Sequence, residues 1–307
     1  MNRNEFYFDS RDGVSQIHAV KWLPDTEPKG VIILVHGMAE HLGRYEELAE
    51  FFCNRGFVVA GNEHLGHGGS VNDNPKGYFC RRDAATVVVR DVHRLKKTVQ
   101  NEFPMLLVFI FGHSMGSLIT RNYLTRYGTG VNGAIICGTL MQSKATIGAM
   151  GLLVKLLTCL QGSKHPSKIL NYIAFGSYCK RIENPRTPYD WLTKDVAIVN
   201  KYIADEDCGF LFTLNGFNTL RLLLKRLHDE KLLCMIPKKL PVLFVYGEED
   251  PCGEYGVAVR KVYEQYKSLG IEDVTEKGYP GDRHEIFNEL DRENVMMDIF
   301  EWIDKRC

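Results

Sequence analysis

The stretch LLVFIFGHSMGSLITRNYL, Leu106 to Leu124, decides the fold. Leu106 to Phe111 is an unbroken apolar run of strand length, whereas Leu118, Ile119 and Leu124 recur at helical spacing. Between them Gly112-His113-Ser114-Met115-Gly116 sets one serine between two glycines, on a sharp reversal from strand to helix. Glycine on either side lets the backbone turn without a Cβ clash. The Ser114 hydroxyl is left above the strand end, where the free N–H groups of the next helix favour developing negative charge.

The same alternation runs outward in both directions. Short apolar runs at Val31–Val35, Phe57–Ala60, Leu107–Phe111, Gly133–Cys137, Val242–Tyr246 and Val274–Gly278 read as strands. Tyr45–Cys53, Ala84–Asn101, Gly116–Tyr127, Tyr255–Ser268 and Arg292–Arg306 read as helices. Strands and helices in turn predict an α/β fold, a mainly parallel central sheet with helices on both faces, preceded by an N-terminal hairpin. The alternation breaks between Leu140 and Pro237, where helical pieces such as Thr193–Ile203 and Leu220–Leu233 occur without a good strand. This predicts a core of residues 1–139 and 238–307, with residues 140–237 inserted as a helical cap, or lid.

Composition excludes several function classes. The 307 residues carry 38 Lys plus Arg and 38 Asp plus Glu, so no field of one sign invites nucleic acid or an anionic membrane. The first residues lack the apolar core of a secretory signal. The nine cysteines include no CxxC pair, which predicts reduced thiols in a cytoplasmic protein and neither a disulfide framework nor a zinc site. Ala145–Leu160, the most apolar stretch, is interrupted by Lys155 and reads as too short to span a bilayer.

A serine hydroxyl is a poor nucleophile until a base takes its proton, and the usual base is a histidine held by a carboxylate. After a G-x-S-x-G elbow the partners follow in the order acid, then histidine. Downstream of Ser114 stand only His165, His228 and His284. The first two fall in the insert, and His284 follows the last strand in YPGDRHEIFNEL, where a base is expected. The acid is expected at the end of the preceding strand, and PVLFVYGEEDPCGEYG supplies Asp250; Glu248, Glu249 and Asp282 read as solvated loop carboxylates. Attack on a carbonyl creates an oxyanion, for which the N–H groups of Met115 and of Met38, in the loop after Val31–Val35, are the expected donors.

With these residues in place, HGMAEHLGRYEELAEFF, GHGGS, GHSMGS and GDRHEIFNEL, in this order and spacing, resemble the monoacylglycerol lipase and lysophospholipase family of serine α/β-hydrolases, in its bacterial type. The stretch NPRTPYDWLTKDVAIVNKYIADEDCGFLFT is similar to bacterial lysophospholipases, so the likeness spans nearly the whole chain. It implies a Ser114, Asp250, His284 triad, Met38 and Met115 as the oxyanion hole, and Glu40 and Arg44 near the polar head of the substrate. It also implies a small-molecule acyl ester or monoacyl lipid substrate; the triad chemistry needs no cofactor, and an apolar face on the cap would allow transient contact with a membrane surface. The chain departs from the family at Glu63, where an Asp is usual before the GHG turn, and at Ser117, which replaces a second glycine.

His36, His64, His67 and His113 sit in Gly-rich turns, form no ligand set and read as structural; no metal is indicated. Cys252 reads as a plain loop cysteine, and IGAMGLLVKLL, Ile147 to Leu157, as core or as a lipid-facing surface. A short-chain carboxylesterase or thioesterase is the nearest rival, since a triad does not distinguish acyl donors. A peptidase of the prolyl aminopeptidase type and a non-catalytic binding module are further ones. Ser114 itself argues against epoxide hydrolases and haloalkane dehalogenases, which carry Asp at the elbow.

Overall fold

The structure, a computed structural model, describes residues 1–307. Eight strands form one sheet: β1 (Asn2–Asp9), β2 (Gln16–Leu23), β3 (Gly30–Val35), β4 (Phe57–Asn62), β5 (Leu107–His113), β6 (Gly133–Cys137), β7 (Val242–Gly247) and β8 (Val274–Tyr279). Their spatial order is β1-β2-β4-β3-β5-β6-β7-β8; β2 pairs antiparallel with β1 and β4, and every pair from β4 to β8 is parallel. Ten helices accompany them: α1 (Glu46–Cys53), α2 (Ala84–Glu102), α3 (Met115–Tyr127), α4 (Lys144–Gln161), α5 (Lys168–Phe175), α6 (Val196–Ala204), α7 (Leu214–Arg226), α8 (Glu230–Leu233), α9 (Val257–Ser268) and α10 (Arg292–Asp304).

The period of two along each strand divides the core. Val31, Ile33, Val108, Ile110, Ala134, Ile136 and Phe244 face one side, where they pack with α2, α3 and α9. Their neighbours Ile32, Leu34, Phe109, Phe111, Ile135 and Val245 face the other, against α1 and α10. Both faces are covered, so the central strands are apolar without alternation.

Three helical segments differ from expectation. The helix expected from Thr193 starts at Val196, where the Asp195 side chain accepts from Ala197 N–H and Ile198 N–H. The helix expected from Tyr255 starts at Val257, because Glu254, Tyr255 and Gly256 take left-handed backbone (φ 52°, 58° and 84°). The segment Leu220–Leu233 is two helices, broken after Arg226 and restarted where the Asp229 side chain accepts from Lys231 N–H and Leu232 N–H.

Between β6 and β7 the chain contributes α4 to α8 and no strand, apart from one isolated bridge between Pro166 and Thr213. Leu223, Leu224, Leu227 and Leu233, from α7 to α8, join the same core as α2 and α3. α4 corrects the expectation for Ala145–Leu160: it extends from Lys144 to Gln161, and its 18 residues, with mean hydropathy 1.2, are long and apolar enough by composition to cross a membrane. It is amphipathic: Ile147, Val154 and Leu157 are buried, while Leu152, Leu156 and Leu160 are exposed.

Candidate active site

The loops that matter follow β3, β5, β7 and β8, all at the carboxyl edge of the parallel sheet, where α/β folds place their sites. At the end of β5, Ser114 is held at φ 54°, ψ −119°, a conformation rare for a residue with a Cβ. The flanking glycines are needed for close approach. A Cβ at Gly116 would run into the carbonyls of Val35 and His36, and one at Gly112 into Thr120 Oγ1 and Gly116 O. The left-handed backbone therefore falls on the serine itself. Ser117 strengthens the turn, because its hydroxyl donates to Ser114 O at 2.5 Å and lies 2.8 Å from Thr139 Oγ1.

The other two predicted members meet in the interior. His284 Nδ1 donates to Asp250 Oδ2 at 2.9 Å, and Asp250 Oδ1 accepts from Cys252 N–H at 2.8 Å. Asp250 is 0% and His284 2% exposed, whereas Glu248 and Glu249 face solvent. Burial alone would push the His284 imidazole down; the charge and hydrogen bond of Asp250 outweigh it and hold the group above its ordinary value of 6.5. Ser114 N–H donates to Cys137 O, and a Cβ on the next residue, Gly138, would stand 3.2 Å from His284 Cε1, so serine and imidazole are neighbours. The imidazole–carboxylate half of the row is formed. The Ser114 hydroxyl, half-buried, has no hydrogen-bond partner in this state.

The loop after β3 lies against the elbow, since a Cβ on Gly37 would come within 3.3 Å of Ser114 Cβ. Gly37 N–H is taken by Glu40 Oε1 and Ala39 N–H by His67 Nε2, but Met38 N–H, between them, has no partner. Met115 N–H, the first of α3, is also unpaired.

Glu40 and Arg44 are inside, bonded to protein. Glu40 (2% exposed) accepts from Gly37 N–H, the Tyr45 hydroxyl and Arg44, at 2.6 to 2.7 Å. Arg44 grips Glu285 through two bonds of 2.7 and 2.6 Å and lies over the Tyr202 ring. Burial would raise both carboxyls. His113 and the Arg44 guanidinium reverse this for Glu40, and Arg44 does so for Glu285, so both are held below the usual carboxylate range. The result is a buried bracket from the β3 loop to the residue after His284.

Sequence reasoning missed Glu285 and Tyr45 in this bracket, although Glu285 adjoins the predicted base. It also missed the burial of Asp282. That carboxyl, expected in solvent, is 1% exposed and paired with Lys194 of the insert at 3.0 Å; burial pushes it up to about 6. The histidines of the turns are buried and bonded to backbone: His64 N–H donates to His36 Nε2, and burial pushes His67 down to about 3. Glu63 accepts from His18 and from Gly69 N–H, fixing the GHG turn.

The Hydrolase_4 family model (serine aminopeptidase, S33) matches residues 26–291. The chain belongs to that family. Its eight-stranded sheet and crossover helices are the α/β-hydrolase fold. The chain is 29% identical to a monoacylglycerol lipase of Mycolicibacterium smegmatis over 98% of its own length and 97% of the relative's. It is 27% identical to a monoglyceride lipase of Rattus norvegicus, over 93% and 86%. A carboxyl esterase structure from Bacillus coagulans superposes with a TM-score of 0.91 at 31% identity, covering 99% of both chains.

Proposed function

We propose that this α/β-hydrolase cleaves carboxylic esters of monoacyl lipids through an acyl-enzyme on Ser114. The observation that carries the reading is the strained Ser114, its hydroxyl unpaired, beside a buried His284–Asp250 pair. His284 takes the hydroxyl proton as Ser114 attacks the carbonyl, and Asp250 orients the ring and stabilises the imidazolium. The unpartnered N–H groups of Met38 and Met115 receive the oxyanion, each worth about 3 kcal/mol. His284 then protonates the leaving alcohol, and water repeats the cycle to release the acid. Glu40, Arg44 and Glu285 act as positioning residues that fix the Met38 loop against the His284 loop.

Residues 140–237 serve as the cap. The lipid relatives and an apolar face on this insert support a medium- or long-chain acyl group and a monoacylglycerol or lysophospholipid head. On α4 and α5, Leu152, Leu156, Leu160, Ile169, Tyr172 and Ile173 are each more than half exposed, an apolar surface suited to transient contact with a membrane. All nine cysteines are unpaired, in keeping with a reducing, cytoplasmic location.

The family description raises a second reading, an aminopeptidase. Such an enzyme needs an anionic group to receive the substrate ammonium, and the buried carboxylates Glu40 and Glu285 are both tied to Arg44, as Asp250 is to His284. Hydrolysis of monoacylglycerols, lysophospholipids, p-nitrophenyl esters of graded chain length and aminoacyl p-nitroanilides, by wild type and Ser114→Ala, separates the readings. The expected result is turnover of long-chain monoacyl esters that vanishes in the variant. Activity confined to acetyl and butyryl esters, or to the anilides, contradicts it.

A further inference from the structure

A second cluster of reactive side chains lies where the β3 loop meets the insert. His41 follows Glu40 in that loop, and Asp205 and Cys208 stand three residues apart just after α6. One donor atom from each of the three lies within 4.8 Å of the others, and the imidazole Nε2 is already 2.8 Å from Asp205 Oδ2. Spacing in the sequence did not announce a ligand set, because His41 lies 164 residues from Asp205 along the chain.

We infer that His41, Asp205 and Cys208 form a site for a divalent, borderline-soft cation of the Zn²⁺ class, which clamps the insert onto the β3 loop. Bonds of about 2.0–2.3 Å in a tetrahedral site put donor atoms about 3.3–3.8 Å apart, so the cluster needs only a small rearrangement to close on an ion. The outer contacts suit the role. Asp205 Oδ1 is held by Asp207 N–H at 2.8 Å, leaving Oδ2 for the ion. The His41 and Asp205 side chains are 22% and 36% exposed, which provides an entry path and room for water as fourth ligand. Arg44, the nearest buried cation, is neutralised by Glu40 and Glu285.

On binding, the Cys208 S–H bond breaks, sulfur bonds the cation and the proton leaves to solvent. The His41 proton moves from Nε2 to Nδ1, at the expense of the 3.2 Å bond from Gly43 N–H. One dication then faces one thiolate and one carboxylate, with no net charge. The other grouping of this kind, Asp250, Cys252 and His284, is wholly buried and offers an ion no such entry path.

The clamp follows from what the two segments already share. Gly209 N–H and the Tyr202 hydroxyl both donate to Ala39 O, beside Met38, whose N–H is offered to the oxyanion. An ion across His41, Asp205 and Cys208 locks that junction and slows turnover. This consequence rests on the proposed ester hydrolysis, whereas binding itself does not.

The test titrates Co²⁺ into the chelator-treated, full-length protein, reading the near-ultraviolet thiolate-to-cobalt charge-transfer band, with Zn²⁺ as competitor. In parallel, Zn²⁺ is added to p-nitrophenyl ester turnover. The expected result is one equivalent of Co²⁺ with the band present in wild type and in Cys252→Ser, and absent in Cys208→Ser. Asp205→Asn weakens Co²⁺ binding at least about tenfold. Both site variants keep metal-free turnover and lose Zn²⁺ inhibition. No band in wild type, or a band that survives Cys208→Ser and disappears in Cys252→Ser, overturns the site, and a band without slower turnover overturns the clamp. Absence of ester turnover in metal-free wild type counts against the hydrolase reading alone.

Discussion

Two regions of this molecule depart from the usual sorting of residues in opposite ways. Beside Ser114, two carboxylates and a guanidinium are buried: Glu40 and Glu285 at 2% exposure, locked to Arg44. On α4 and α5, leucines and isoleucines face water, with Leu152 and Leu160 each 73% exposed. Buried charge of this kind is worth little as net stability, since desolvation offsets much of the attraction, but it fixes geometry because removing one member strands the others. Exposed leucines contribute nothing to folding until something covers them. The first region fixes geometry, and the second leaves apolar surface uncovered, which is what the proposed contact with substrate or membrane requires.

The largest effect that separates them is on catalysis. Ser114→Ala and Asp250→Asn are each expected to lower kcat about 10⁴-fold in ester hydrolysis, with Glu249→Gln nearly unchanged. Equal losses at Asp250 and Glu249 would remove Asp250 from its role. Next comes Arg44→Met, which leaves two buried carboxylates without their cation and costs about 3–5 kcal/mol in urea unfolding. Adding Glu285→Gln recovers part of that loss; if Arg44→Met alone is neutral, the bracket is not a frame. The pH profile is a smaller, finer test. His284 must be neutral to accept a proton and its pKa is raised, so kcat/KM climbs with pH through a midpoint above 6.5. A midpoint below 6.5 contradicts the dominance of Asp250 over burial. The smallest expected effect on the fold belongs to the exposed stripe: Leu152→Glu with Leu160→Glu changes stability by about 0.5 kcal/mol or less. The same pair weakens flotation with phospholipid vesicles, and undiminished flotation would deny the stripe its proposed role.

The elbow was legible because everything that defines it is local: an apolar run, two glycines and a serine within a few residues. The central strands were legible because, covered on both faces, they are continuously apolar. The start of α9 was hidden because Glu254 and Tyr255, which carry a Cβ, adopt left-handed backbone together with Gly256 and so delay the first helical turn to Val257. The bracket was hidden for a different reason. Arg44 and Glu285 are 241 residues apart, and Asp282 and Lys194 are 88 apart, so only the folded chain reveals that these charges are buried partners. Sequence reading named Glu40 and Arg44 but had no means to see that their polar atoms were already engaged by protein.

In the proposed mechanism the His284–Asp250 pair activates Ser114. The most direct test treats wild type, Ser114→Ala and His284→Ala with an alkyl fluorophosphonate, followed by intact mass and peptide mapping. A single adduct on Ser114 is expected in wild type, none in Ser114→Ala and a greatly slowed reaction in His284→Ala. Labelling at another residue, or equal labelling rates in wild type and His284→Ala, would contradict it.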